Sequence, residues 1–112
     1  DHRDLHSFPT RRSSDLAALT KAQAHRLSIM AHDGLARAVL PAHLPSDGDT
    51  MFAAATGEKP LEGGIHFAEL CHLATLTMAR AVARGVYEAT ALPVEGAQKA
   101  YRDLHGLRST DE

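Results

Sequence analysis

Apolar side chains recur at three- and four-residue steps in the first part of the chain, at Ala24, Leu27, Ala31, Leu35 and Ala38. This spacing predicts an amphipathic helix of about 20 residues. Thr20 and Gln23 form a capping-box pattern at its start, and Pro41 ends it. Gly34 lies on the apolar face, although glycine costs about 1 kcal/mol relative to alanine in a helix. We therefore expect a sheet or another helix to approach closely at Gly34.

A second helical pattern covers residues 65–88 and is more hydrophobic than the first. Its apolar positions at helical spacing are Phe67, Leu70, Cys71, Ala74, Met78, Ala81, Val82 and Val86. Leu73 and Leu76 add apolar surface on another side, which predicts an inner layer or a subunit contact. Charged side chains interrupt the stretch, so it predicts a buried helix and not a membrane span. Residues 97–104 predict a last short helix.

The segment between the two long helices contains one short apolar run without a polar face, residues 51–55. Such a run predicts a strand that is buried on both sides. A lone strand leaves backbone groups unpaired, at a cost of about 1–3 kcal/mol for each buried group. We therefore predict an α+β, helix–strand–helix piece whose partner strands come from elsewhere.

The bulk properties of the 112 residues narrow the class of protein. The length allows at most one small domain. The formal net charge of −2 gives no electrostatic reason to expect nucleic acid or a membrane surface as a partner. The single cysteine, Cys71, excludes an internal disulfide and fits a reducing compartment. We therefore expect a soluble, cytoplasmic protein.

The first sixteen residues have, in our interpretation, a different origin from the rest. A short-read sequencing adapter, translated in frame, encodes every one of them: D-H-R-D-L-H-S-F-P-T-R-R-S-S-D-L. We interpret residues 1–16 as an adapter-derived, non-native segment and exclude them from the fold. Residues 17–112 are then the native part of the chain.

The best candidate for chemistry is Asp47-Gly48-Asp49, which directly precedes the predicted strand. Residues two apart in an extended chain point to the same side, so both carboxylates can face one pocket. Two neighbouring carboxylates repel each other unless a cation lies between them. The alternatives are a plain Asp-Gly turn and a calcium loop, which would need further oxygen ligands at alternating positions.

The other candidate residues give weaker signals. The native part contains six histidines, His25, His32, His43, His66, His72 and His105. None forms the H-x-x-x-H pair of a zinc helix, so we expect solvated or hydrogen-bonded histidines and no metal or cofactor. Cys71 lies in the middle of an apolar helical face, where a buried, inert thiol is the usual state.

Two segments carry a family resemblance, A-H-D-G-L-A-R-A at 31–38 and D-G-D-T at 47–50. Residues 17–101 resemble the small C-terminal chain of the self-processing aminopeptidases. That group comprises the L-aminopeptidase/D-esterases, the β-peptidyl aminopeptidases and the nylon-oligomer hydrolases. The resemblance implies a four-layer αββα sandwich, of which residues 17–112 are a C-terminal fragment. It also implies a precursor that cuts itself once and uses the freed Ser or Thr as an N-terminal nucleophile.

The resemblance further implies the roles of Asp47 and Asp49, the residues that we carry over as catalytic. One holds and tunes the freed α-amine, and the other orients the attacking hydroxyl. The expected partners are the large chain of the same precursor, a small peptide or amide substrate and further copies of the protein in a homo-oligomer. The place of the nucleophile falls at or before residues 1–16, so we expect a fragment that is inactive alone.

Two alternative hypotheses about the function remain open. A non-enzymatic α+β assembly module would use the apolar helix at 65–88 to bind a partner. A metal-dependent hydrolase is disfavoured by the spacing of its possible ligands.

Overall fold

The computed structural model describes residues 17–107, and these residues form three helices. Helix α1 spans Lys21–Ala38, helix α2 spans Gly63–Glu88, and helix α3 is a single turn at Tyr101–Leu104. The two long helices pack against each other and make the core, while α3 contacts α2. A long connection, residues 39–62, joins α1 to α2.

Helix α1 begins as its sequence predicts. The backbone N–H of Gln23 donates to the Thr20 hydroxyl over 3.1 Å, and the N–H of Thr20 donates to the Gln23 side chain over 2.9 Å. These two bonds satisfy backbone donors that a helix start otherwise leaves free. The capping box is therefore confirmed, and it fixes the end of α1 that lies farther from the candidate site.

The core lies between the first turns of α1 and the first half of α2. Leu27 of α1 meets Leu70 and Cys71 of α2, and Ala17 closes the cluster from the segment before α1. The hydroxyl of Thr75 lies 3.0 Å from the carbonyl oxygens of both Met30 and Cys71. Because Met30 is on α1, this hydroxyl can link the two helices through a polar contact at the edge of the apolar core.

The close approach expected at Gly34 is confirmed. Gly34 is buried on α1 and faces the backbone of α2. A Cβ atom at this position would overlap the carbonyl oxygen of Thr75 and lie 2.7 Å from the Cβ of Met78. The neighbour is a helix, so the alternative of a sheet does not apply within the described part.

The strand predicted at residues 51–55 is wrong for residues 17–107, which contain no strand. The nearest ladder contact is an isolated parallel bridge between Ala17 and Lys59, where the Ala18 N–H donates to the Lys59 carbonyl over 2.7 Å. Phe52, in the middle of the apolar run, is 89% exposed. A strand exists only through hydrogen bonds to a neighbour, and the described part supplies none.

Two further boundaries differ from the sequence prediction. Helix α2 begins at Gly63 instead of residue 65, and the last helix begins at Tyr101 instead of residue 97. The sequence predicts the α+β class, whereas residues 17–107 are helical. Within the same range, neither long helix combines the length and apolar character that crossing a membrane requires.

Much apolar surface on the two long helices and on the segments that flank them is exposed within the described residues. Four large apolar side chains are more than 70% exposed: Leu40, Phe52, Ile65 and Leu92. Leu73 and Val86 of α2 are about half exposed. The second apolar side of α2, expected to be buried in an inner layer or a contact, is only partly covered within the described residues: Leu76 is half-buried and Leu73 is exposed.

Candidate functional site

The two candidate carboxylates lie on the connection between the long helices, in a segment that we call the carboxylate loop, residues 43–50. The loop begins at His43, whose φ of 58° is in the left-handed region. A turn follows, in which the Asp47 N–H donates to the Leu44 carbonyl over 2.8 Å. The Thr50 hydroxyl then donates to the Gly48 carbonyl over 3.2 Å. These local bonds give the Asp47–Asp49 segment a defined path without a strand.

Asp49 is held by the first residue of the same loop. Its Oδ2 atom lies 3.3 Å from Nδ1 of His43, within ion-pair distance. The side chains are 29% and 41% exposed respectively, so water reaches both. A carboxylate has about four lone-pair directions, and contact of one oxygen with His43 leaves Asp49 able to accept from a further donor.

His43 also contacts helix α1. Its ring centroid lies 5.0 Å from that of His32, with the ring planes at 62°, an edge-to-face arrangement. His32 is half-buried on the last half of α1. The structure thus connects Asp49 to α1 through two imidazole rings, although the chain between His32 and Asp49 is mostly loop.

Asp47 is placed differently. It is exposed, and no ion pair within residues 17–107 involves its carboxylate. Its backbone takes part in the turn, whereas its side chain is available to solvent or to a bound group. Over the same described range, no three side chains among His, Cys, Asp and Glu converge as metal ligands.

Cys71 is 1% exposed in the core between the helices, so the predicted burial is confirmed. Burial raises the pKa of the Cys71 thiol above its ordinary value, and the positive charge of Arg26 opposes that rise only partly. A thiol acts as a nucleophile in its thiolate form, so this environment disfavours nucleophilic chemistry at Cys71.

A groove lies between the C-terminal end of α1 and the middle of α2. It is lined by Arg37, Leu73, Leu76, Thr77, Ala79 and Arg80. Neither Asp47 nor Asp49 belongs to it, so this groove and the carboxylate loop are separate features.

The sequence model of peptidase family S58 matches residues 14–100, which include the core, α2 and the whole carboxylate loop. The chain belongs to peptidase family S58. Asp47, Asp49, His32 and His43 all lie within the matched range. This membership agrees with the aminopeptidase resemblance of the segments at 31–38 and 47–50.

Individual relatives of this S58 chain carry the name aminopeptidase. Uncharacterized aminopeptidases of Mycobacterium bovis and Mycobacterium tuberculosis are each 44% identical to it over 99 residues, covering 79% of this chain and 28% of theirs. An uncharacterized aminopeptidase of Mycobacterium leprae is 54% identical over 41 residues, 37% of this chain and 11% of the relative. The chain therefore spans less than a third of the length of these relatives. No solved structure matches the chain.

The contacts of His43 with Asp49 and with His32 do not follow from the sequence of the S58 chain. The pattern of its six histidines predicts only solvated or hydrogen-bonded side chains. The contact between His43 and Asp49 spans six positions in a loop, where no helical or strand period predicts a neighbour. The usable signal was the chemistry alone, a basic side chain close in sequence to a pair of carboxylates.

Proposed function

We propose that this S58 chain is the C-terminal part of an aminopeptidase-type amide hydrolase. Its nucleophile would be a Ser or Thr that self-cleavage of a longer precursor frees at a new N-terminus. Family membership and the aminopeptidase relatives support the hydrolase class. The observation that carries the proposal to particular residues is the carboxylate loop, in which Asp49 is held against His43 while Asp47, two positions earlier, stays unengaged.

In this proposal the freed amine and hydroxyl of the nucleophile meet the two carboxylates. An α-ammonium between Asp47 and Asp49 relieves the repulsion between them. Once neutral, the amine accepts the proton of the hydroxyl, whose oxygen attacks the substrate carbonyl. The scissile C–N bond then breaks, the leaving amine takes up that proton, and an ester acyl-enzyme remains. Water cleaves the ester, which releases the carboxylic acid and restores the hydroxyl. One Asp holds the amine and the other orients the hydroxyl, and donors to the oxyanion come largely from outside residues 17–107.

The exposure of the carboxylate loop agrees with a site that residues from outside 17–107 complete. Residues 17–107 cover neither the loop nor the exposed Phe52 that follows it. We propose that the large chain of the precursor covers both, and that the assembled protein is an αββα sandwich. The substrate would be a small peptide or amide with a free amino end, in the cytoplasm, and the assembled protein a homo-oligomer.

The proposal is tested by Asp47→Ala and Asp49→Ala in the full-length precursor. Each change should lower hydrolysis of an aminoacyl p-nitroanilide at least about 100-fold, the scale of losing a catalytic acid–base partner. Self-cleavage, followed as the appearance of two bands on a denaturing gel, should slow as well, because the same nucleophile performs both reactions. Asp33→Ala, which removes an exposed carboxylate on α1, is the matched control and should keep both activities.

If both loop variants mature and turn over as the wild type does, the carboxylate pair is only a turn and the site assignment is wrong. The rival assembly module, which the exposed Leu73 on the second apolar side of α2 favours, predicts binding without hydrolysis in every variant. Sequencing the genomic DNA across the codons for residues 16 and 17 tests the adapter interpretation independently. Native codons that encode a cleavage site with Ser or Thr at the start of a strand upstream of residue 17 support the hydrolase.

A further inference from the structure

The two carboxylates of the loop differ in how firmly they are held. Asp49 has an imidazole 3.3 Å from one oxygen, and that imidazole is itself in edge contact with a ring on α1. Asp47 has no ion pair within the described residues. A catalytic carboxylate that must orient a hydroxyl needs a fixed direction, because small misplacements of a reacting group reduce the rate strongly. Of the two, Asp49 has the surroundings of an oriented group.

The backbone conformation of His43 places its ring next to Asp49. His43 has a φ of 58°, a left-handed conformation that non-glycine residues rarely adopt, with Asn, Asp and His as the tolerated exceptions. From there the chain turns through Leu44 to Asp47 and returns Asp49 to the ring of His43. The unusual backbone and the ring contacts therefore coincide at one residue, a combination that is common at functional sites.

The nitrogen that faces Asp49 is Nδ1, the ring nitrogen closer to the backbone. At this distance a positive charge on the His43 ring would attract the Asp49 carboxylate. The turn between Leu44 and Asp47 keeps the two side chains close to each other. The His43 ring is also in edge-to-face contact with the ring of His32 on α1, with centroids 5.0 Å apart.

We infer that His43 is a positioning residue for Asp49, and that His32 braces it from helix α1. The inference rests on the proposed catalytic role of Asp49 and adds a residue to that site. His43 need not touch the substrate, since it acts through the direction it gives to the Asp49 carboxylate.

The test uses substitutions at residue 43 in the full-length precursor that separate the backbone from the ring. His43→Gly keeps the left-handed backbone without strain and removes the ring. We expect kcat on an aminoacyl p-nitroanilide to fall by about 10- to 100-fold, the scale of a misplaced reacting group, with KM nearly unchanged. His43→Asn should restore most of kcat, because asparagine tolerates the same φ and its amide nitrogen can replace Nδ1. His43→Gln should restore little, since its amide nitrogen lies farther from the backbone.

A double-mutant comparison then shows whether His43 acts through Asp49. In an Asp49→Asn background, His43→Gly should lower kcat by less than about twofold more, because residues that act as one unit are not additive. His72→Ala, at an exposed histidine of α2, is the control and should leave kcat unchanged. Melting temperatures of all variants separate a loss of rate from a loss of folding.

Each outcome decides the inference. Wild-type kcat in His43→Gly, a failure of Asn to exceed Gln, or full additivity with Asp49→Asn overturns it. If Asp49→Asn is impaired while His43→Gly is not, only the positioning role fails and the proposed function stands. If Asp49→Asn itself keeps wild-type activity, the catalytic role of Asp49 and the positioning role of His43 fail together.

Discussion

Gly34 lies against the backbone of α2 so closely that a methyl group on its Cα would overlap the carbonyl oxygen of Thr75. The two long helices therefore cross at a contact between backbones and not between side chains. One turn away, the Thr75 hydroxyl reaches the carbonyl of Met30 over 3.0 Å. The position of α1, and with it the start of the connection that carries the carboxylate loop, depends on this crossing.

Gly34→Ala should destabilise the protein by about 1–3 kcal/mol, the usual range for extra volume in a packed core. Alanine would otherwise gain about 1 kcal/mol in a helix, but the atoms it meets are the Thr75 carbonyl and the Cβ of Met78, 2.7 Å away. Neither is the movable end of a flexible side chain. The measurement is the urea midpoint of the full-length protein.

Gly85→Ala is the matched control for this prediction, because Gly85 is also helical and a Cβ there meets nothing within 4 Å. It should raise the free energy of unfolding by about 0.5–1 kcal/mol through helix propensity alone. Equal effects of the two substitutions would contradict the close approach of the two helices at Gly34.

The buried thiol of Cys71 should make the stability of the protein depend on pH. Burial raises the pKa of its thiol in the folded state above the ordinary value of 9.0. The unfolded chain therefore loses the thiol proton first as pH rises, so the unfolded state binds fewer protons and the stability falls. The contribution is complete below about pH 9 and is lost progressively as pH rises through the folded-state pKa. Urea midpoints between pH 7.5 and pH 10.5 should show this decline.

The Cys71→Ala variant isolates the thiol from other groups that titrate at alkaline pH. It should be less stable than the wild type at neutral pH, because it leaves a small cavity in the core, but its decline toward pH 10.5 should be shallower. In the wild type, alkylation of Cys71 by iodoacetamide at pH 8 should be slow until urea unfolds the protein. Fast alkylation of the native protein would contradict the burial of this thiol.

The 112-residue chain alone should be catalytically silent and should form oligomers or aggregates. Its apolar side chains Leu40, Phe52 and Ile65 are 76–95% exposed. At about 25 cal/mol per Å2, several hundred Å2 of uncovered apolar surface forfeits on the order of 10 kcal/mol, which equals the whole stability of a typical domain. Light scattering and aminoacyl p-nitroanilide hydrolysis measure the two properties.

If the proposed function holds, co-expression with a large chain, with a Ser or Thr nucleophile at the start of the small chain, should relieve the association of the isolated chain and produce activity. The same large chain with a nucleophile-to-Ala change is the control, and should restore solubility without hydrolysis. A monomeric, cooperatively melting 112-residue chain that cleaves aminoacyl amides would contradict both the fragment interpretation and the mechanism.

Features that depend on neighbours in sequence could be predicted from the sequence alone. The start of α1 follows from Thr20 and Gln23, whose side chains reach only three residues. The apolar faces of α1 and α2 follow from the helical period, and the close contact at Gly34 from a glycine on an apolar face. The two carboxylates could be chosen as candidates from their type and spacing, and the family from the segments around them.

Tertiary structure decided the remainder. The run at residues 51–55 has the composition of a buried strand, but strand formation needs backbone partners that no local pattern supplies. The contact of His43 with Asp49, and of His43 with His32, arises because one residue adopts a left-handed φ and turns the loop back toward α1. Local periodicity fixes which residues share a helix face, because its range is a few positions. Which faces and loops finally meet depends on contacts between residues distant in sequence, and only the folded chain brings those together.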